Sequence, residues 1–203
     1  MTSTSYIFPC DFVYCHTVDN HEEIKEKYLH HFKWDAESYG SLYRKKSKWN
    51  CEVTSSYFRD GANPLPFLDS YFYDSVVWAP VDSMLKEMGE KINLPTPKQS
   101  TINQLWYNEY YPGNWQEIHN HINTNARQQF SGIYILDLNE DKNKTGFYST
   151  SNRAAWGENP FVMHFPDVKE GTVLIFPVEL NHFVNPCDNR RTTISFNISS
   201  EYE

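Results

Sequence analysis

The last strand of the chain constrains the fold most. RTTISFNIS, residues 191–199, alternates without a break. Successive side chains of a strand point to opposite faces. Arg191, Thr193, Ser195 and Asn197 therefore form one row, and Thr192, Ile194, Phe196 and Ile198 form the other. The second row suits an apolar core. A polar row inside a protein is stable where it meets polar partners or a polar ligand. Similar texture runs back to residue 100. STINQLWYNEYY (100–111) ends at the turn Pro112-Gly113, and NWQEIHNH (114–121) alternates. FSGIYILDL (130–138) and GTVLIFPV (171–178) are near-continuous apolar runs, as buried strands are. NEDKNKTG (139–146) reads as a polar loop. Short strands separated by turns predict a β-barrel or sandwich.

The first half reads differently. In DNHEEIKEKYLHHFK (19–33), Asn20 can cap a helix and Glu23 completes a capping box. Ile24, Tyr28 and Phe32 form its apolar stripe. His30 and His31 point about 100° apart on such a helix, so they belong to the surface. A second helix is expected from Pro80 to Ile92, with Val81, Met84, Leu85, Met88 and Ile92 inward. With 203 residues the expectation is a single α+β domain: residues 1–98 as helical support and 99–199 as the β core.

A net charge of −8 argues against coating bulk nucleic acid, and the densest basic patch, Arg44–Lys48, reads as a solvated loop. The N-terminus lacks the pattern of a signal peptide, and no apolar run is long enough to predict a membrane span. Cys10, Cys15, Cys51 and Cys187 show no CxxC spacing, which fits reduced thiols and a cytoplasmic location. The triplets at Asn143 and Asn197 carry little weight as glycosylation sites without a secretory signal.

His119 and His121 sit one residue apart, and His182 follows sixty-one positions after His121. Strand alternation would place Trp115, Glu117, His119 and His121 on one face. Two imidazoles whose Cα atoms lie roughly 6.5 Å apart along a strand can meet at one metal. A distant third histidine would complete three ligands and leave positions open for substrate, as catalytic sites require. Imidazole suits iron, zinc, copper and nickel. Trp106 and Trp115 read as core.

Each half places a glycine, a strand and a histidine in order: Gly113, five residues, His119; then Gly171, five residues, Pro177, and His182 beyond it. This resembles the two motifs of the cupin, or double-stranded β-helix, barrel. Asn125 stands where the first motif expects Glu, and Glu179 where the second expects Gly. LWYNEYYPGNWQEIHNHINTN, FSGIYILDL, FPVELNHFVNP and RRTTISFNI resemble more closely the 2-oxoglutarate- and Fe(II)-dependent oxygenases, in the prolyl-4-hydroxylase-like branch of phage and bacteria. The likeness spans about residues 100 to 199.

That resemblance implies a jelly-roll barrel, with Fe(II), 2-oxoglutarate and dioxygen as cofactor and cosubstrates. It implies His119, His121 and His182 as metal ligands, with Glu117 as an alternative to His121, since most of the superfamily uses two His and a carboxylate. Arg191, on the polar row, would clamp the distal carboxylate of 2-oxoglutarate, helped by Thr193. Tyr107 or Asn108, and Ser131 or Tyr134, would supply further hydrogen bonds. The implied reaction is oxidative decarboxylation of 2-oxoglutarate coupled to hydroxylation of a small-molecule or peptidyl substrate. Loops 139–146 and 150–160, with Trp156, would cover the mouth. Two rivals remain open: a cupin-type metalloenzyme that does not use 2-oxoglutarate, and a non-catalytic ligand-binding barrel.

Overall fold

The computed structural model describes residues 11–39, 50–58, 65–123, 127–139, 144–149 and 162–202. Cys10, the Arg44–Lys48 patch, Asn125, Asn143 and the 150–160 loop with Trp156 lie outside the described residues. The elements in chain order are β1 (Tyr14–Thr17), α1 (His21–Tyr39), β2 (Thr54–Ser55), α2 (Ser70–Tyr73), α3 (Ala79–Ile92), β3 (Gln99–Tyr110), β4 (Gln116–His119), β5 (Gln128–Leu138), β6 (Thr145–Ser149), β7 (Val162–His164), β8 (Thr172–Pro177), β9 (Asn181–Val184) and β10 (Arg191–Glu201).

Two antiparallel sheets carry the structure. The larger runs β1-β8-β5-β10-β3-β2, and the smaller runs β4-β9-β6-β7. β10 lies between β5 and β3 and pairs with both along most of its length. Its alternating pattern sorts the whole sheet. Ile194, Phe196 and Ile198 face outward to the helices, where they join Phe32, Phe72, Met84, Tyr134 and Ile175 in the main core. The opposite face meets the small sheet, where Ile133, Leu174 and Phe176 pack on Phe147 and Leu180. The continuous apolar runs of β5 and β8 follow from this, because both of their faces are buried.

Helix α1 is longer than the capping pattern predicts, and α3 takes the expected face inward. Polar pins fasten α1 to the sheet. Lys25 and Lys33 both pair with Asp137 of β5, at 2.8 and 3.1 Å. The Tyr107 hydroxyl donates to Asp35 at 2.6 Å, and the Tyr134 hydroxyl lies 2.7 Å from His21 Nδ1.

Two expectations need correction. The first 98 residues are not purely helical support: β1 and β2 form both edges of the large sheet. The stretch read as loop through residue 146 instead enters β6 at Thr145, whose side chain is fully buried. The periodicity also gave no sign of α2, which runs through a π-helical turn, Asp74–Trp78, into α3. No helix among the described residues is long and apolar enough to cross a membrane.

Gly132 of β5 sits directly opposite Phe196 of β10. A Cβ there would lie 2.0 Å from the Phe196 ring. Gly132→Ala is expected to destabilise the protein by about 1–3 kcal/mol through overpacking. A thermal melt checks this, and an unchanged midpoint would mean that the Phe196 ring yields freely.

Candidate metal and cosubstrate site

The site lies between the two sheets. His119 ends β4 and faces His182 of β9 across the ladder. His121 follows just beyond β4, held by its backbone N–H on Val178 O at 2.9 Å. One ligand atom from each of the three lies within 4.8 Å of the others. A second group, His21, Glu22 and Glu170, meets the same distance test. There Lys25 pairs with Glu170 and Tyr134 meets His21, so its donors already serve the α1 pins.

The remaining ring nitrogens of the triad are engaged behind it. His119 Nδ1 donates to Glu117 O at 2.8 Å, and His182 Nδ1 to Leu180 O at 3.2 Å. A carbonyl oxygen only accepts, so each Nδ1 carries the proton and each Nε2 keeps a lone pair, that of His119 accepting from Gln116 Nε2 at 3.4 Å. His121 Nδ1 meets Asn197 Oδ1 and Ser131 Oγ, both at 2.8 Å. Such backing partners orient metal-binding histidines. Burial pushes all three imidazoles toward the neutral form. It holds His182 well below the usual histidine range and, with His119 nearby, brings His121 down to about 4.

The expected sharing of one face by Trp115, Glu117, His119 and His121 does not hold. A register shift between Gln116 and His119 breaks the alternation. The Glu117 carboxylate turns away and accepts the backbone N–H of Asn50 at 2.8 Å. Trp115, expected in the core, is half-buried beside its bridge to Glu52. Trp106 is buried and stands 5.4 Å from the His121 ring.

An inner slot leads from the three imidazoles to Arg191, passing Asn108, Thr193 and Ser195. Arg191 is 1% exposed. Its Nη2 donates to Thr145 Oγ1 at 2.6 Å, and the guanidinium lies 5.5 Å from the Tyr110 ring centroid. Its Nε and Nη1 are buried and have no hydrogen-bond partner among the described residues. The neighbouring Arg190 points to the other face, where Glu109 pairs with it at 3.0 Å.

The structure thus brings His119, His121, His182, Arg191, Thr193 and Asn108 around one space, with Ser131 behind His121. Tyr107 and Tyr134 do not join them. Their hydroxyls serve Asp35 and His21 on the helix side of the sheet. Alternation could have signalled this, since each is next to a residue that faces the slot. Thr145 escaped notice because it follows a polar loop. Asn197 was visible on the polar row, but its place behind His121 is a tertiary fact.

These residues suit the groups they are expected to bind. Three neutral imidazoles with converging lone pairs are a borderline-soft nitrogen set that accepts Fe(II). A buried guanidinium with unused N–H groups is costly alone and is relieved by a carboxylate.

Residues 104–197 match the family model described as "Putative 2OG-Fe(II) oxygenase". The sequence finds no match among curated proteins. Among solved structures, a Pseudomonas putida prolyl-4-hydroxylase superposes with a TM-score of 0.58 at 12% identity, over 94% of this chain and 93% of that one. A Trichoplax adhaerens prolyl hydroxylase, solved with a peptide fragment of the hypoxia inducible factor oxygen degradation domain, gives 0.58 at 13% identity, over 93% and 83%. The non-heme alpha ketoglutarate dependent epimerase SnoN of nogalamycin biosynthesis gives 0.59 at 9% identity, over 94% and 78%. At such identities the likeness concerns the fold, an antiparallel sheet structure with a few helices. The family match over residues 104–197 supports the class of 2-oxoglutarate- and Fe(II)-dependent oxygenases, and the fold agrees with it. The segment that carries the site, residues 104–197, belongs to the 2OG-Fe(II) oxygenase family, and the fold is one that prolyl-4-hydroxylases share.

The buried imidazoles also set an acid limit. The unfolded chain protonates its histidines below about pH 6.5, whereas folded His121 does so near 4. Between those values the unfolded state binds more protons, so stability is fully present above the upper value and is lost as pH falls. Metal-free protein is therefore expected to melt at progressively lower temperature from pH 6.5 to 4, with a flatter profile in His182→Asn. Melts in chelator across that window check it. Equal slopes in the two proteins would count against His182 as a contributor.

Proposed function

We propose that His119, His121 and His182 hold Fe(II), and that Arg191 holds the distal carboxylate of 2-oxoglutarate. The frame on this reading is a double-stranded β-helix over residues 99–199, in a single domain braced by residues 1–98. The observation that carries the proposal is the Arg191 guanidinium. It is buried, it makes no ion pair with a described residue, and it keeps two nitrogens unused at the far end of a slot that begins at three imidazoles. Thr145 fixes one nitrogen of the fork, which leaves the rest to meet a carboxylate.

When bound, Fe(II) supplies the activation of dioxygen that couples oxidative decarboxylation of 2-oxoglutarate to hydroxylation of the substrate. The chain's own residues do positional work. Arg191 sets how far the cosubstrate reaches along the slot, and Thr193 and Asn108 line its path. Glu117 O, Leu180 O and Asn197 Oδ1 keep protons on the outer ring nitrogens. Trp106, Ile133 and Val184 keep the slot poor in water. Unlike the usual two-histidine, one-carboxylate set, this ligand set brings no negative charge.

The substrate is read as a small molecule or a peptidyl group. Support for a peptidyl group comes from the two prolyl hydroxylases with a similar fold, one of them solved with a peptide. The charge of −8 disfavours bulk nucleic acid. A cytoplasmic location belongs to the same reading.

Arg191→Ala is expected to weaken 2-oxoglutarate binding by about two orders of magnitude, since a buried charge pair loses one partner. Anaerobic titration of the Fe(II)-loaded protein, followed by visible charge-transfer absorption, measures it. An unaltered titration would remove Arg191 from the clamp. For the third ligand, His121→Ala is expected to lower metal affinity at least about tenfold, and Glu117→Ala to leave it nearly unchanged. Competition with a chromophoric chelator reads both variants, and the reverse order would hand the position to Glu117.

A further inference from the structure

We infer that the outer cavity beside the histidines seats the substrate and selects an uncharged group that carries an N–H donor. The inference takes the proposed oxygenase site as its starting point. The cavity holds about 190 Å³ and shares Trp106, Asn108, His119 and His121 with the inner slot. Fifteen described residues line it, and none is Lys, Arg, Asp or Glu. In a chain that is 22% charged, that composition sets the chemistry of the ligand. A charged group entering here would find no counter-ion among the described lining residues.

What the cavity offers instead is an aromatic wall and a row of amides. Tyr57, 38% exposed at the surface, meets Trp106 edge to face at 5.2 Å, and Trp106 continues to His121 at 5.4 Å. The amide row begins at the same histidine. Asn197 Oδ1 accepts from His121 and from Ser131, so Asn197 Nδ2 is the atom that donates to Gln104 Oε1, at 2.9 Å. That oxygen also accepts Gln128 Nε2, at 3.1 Å. Each amide therefore fixes the sense of the next, and the row ends in an oxygen, Gln128 Oε1. Gln128 is 8% exposed, and this atom is buried with no hydrogen-bond partner among the described residues. A buried acceptor left unmet is costly, and a ligand N–H relieves it. A free amino acid brings an ammonium and a carboxylate. The same residue within an amide-linked chain brings neither, and it presents N–H groups. Neutral nucleosides share this chemistry.

The test uses protein loaded with Zn(II), as a redox-inert substitute, and with 2-oxoglutarate. Saturation-transfer NMR would measure binding of N-acetyl amino-acid amides, the same amino acids with free termini, and neutral nucleosides. Binding by either neutral set at least about tenfold tighter than the charged set supports the inference, and the order of the two neutral sets names the source. Gln128→Leu is expected to cost about tenfold for a probe with its N–H and little for its N-methylated analogue. Equal binding of charged probes, an equal loss for both analogues, or no binding by either neutral set overturns it. The same spectra report 2-oxoglutarate. If it fails to bind while neutral probes still do, the oxygenase reading falls and the cavity inference stands.

Discussion

The structure depends on the double pairing of β10. A strand hydrogen-bonded on both sides cannot rotate, so its period of two becomes a partition of the protein. Every second side chain is committed to the helix-covered core, and the rest are committed to the space between the sheets. Registers on β3 and β5 follow from that commitment. Trp106 and Asn108 on one side, and Ile133 on the other, are delivered to the same space as Arg191 and Thr193, with Ser131 behind His121.

Much of this was legible in the residues. The alternation of 191–199 separated Arg191 from Arg190 and marked the polar row. The spacing of His119, His121 and His182, with their turn glycines, marked the two strands that meet across a ladder. Both glycines adopt the left-handed backbone that such turns use, each with φ +83°. Long strands and amphipathic helices are read well because their patterns repeat within one segment.

The rest was hidden for physical reasons. Tyr107 and Tyr134 look like good hydrogen-bonders anywhere, and only the position of α1 decides that their hydroxyls go to Asp35 and His21. The register shift in β4 costs one step of alternation, which turns Glu117 toward Asn50. The π-helical turn after Tyr73 has no period of its own to detect. Two-residue β2 is too short to carry a pattern, yet it closes an edge of the large sheet.

Adjacent arginines at 190 and 191 live in opposite electrostatic settings. One is answered from within, because Glu109, itself fully buried, accepts from Arg190, and Thr192 supports the same carboxylate. The other makes no ion pair with a described residue. On the helix side the charge is paired by Glu109, and on the slot side no described residue pairs it, one peptide bond away. Variation at this pair is therefore expected to be asymmetric. A change at 190 can be offset within the protein by a change at 109, as in any covarying ion pair. A change at 191 meets no ion-pair partner among the described residues that could answer it, and in the proposed function its counterpart is the cosubstrate.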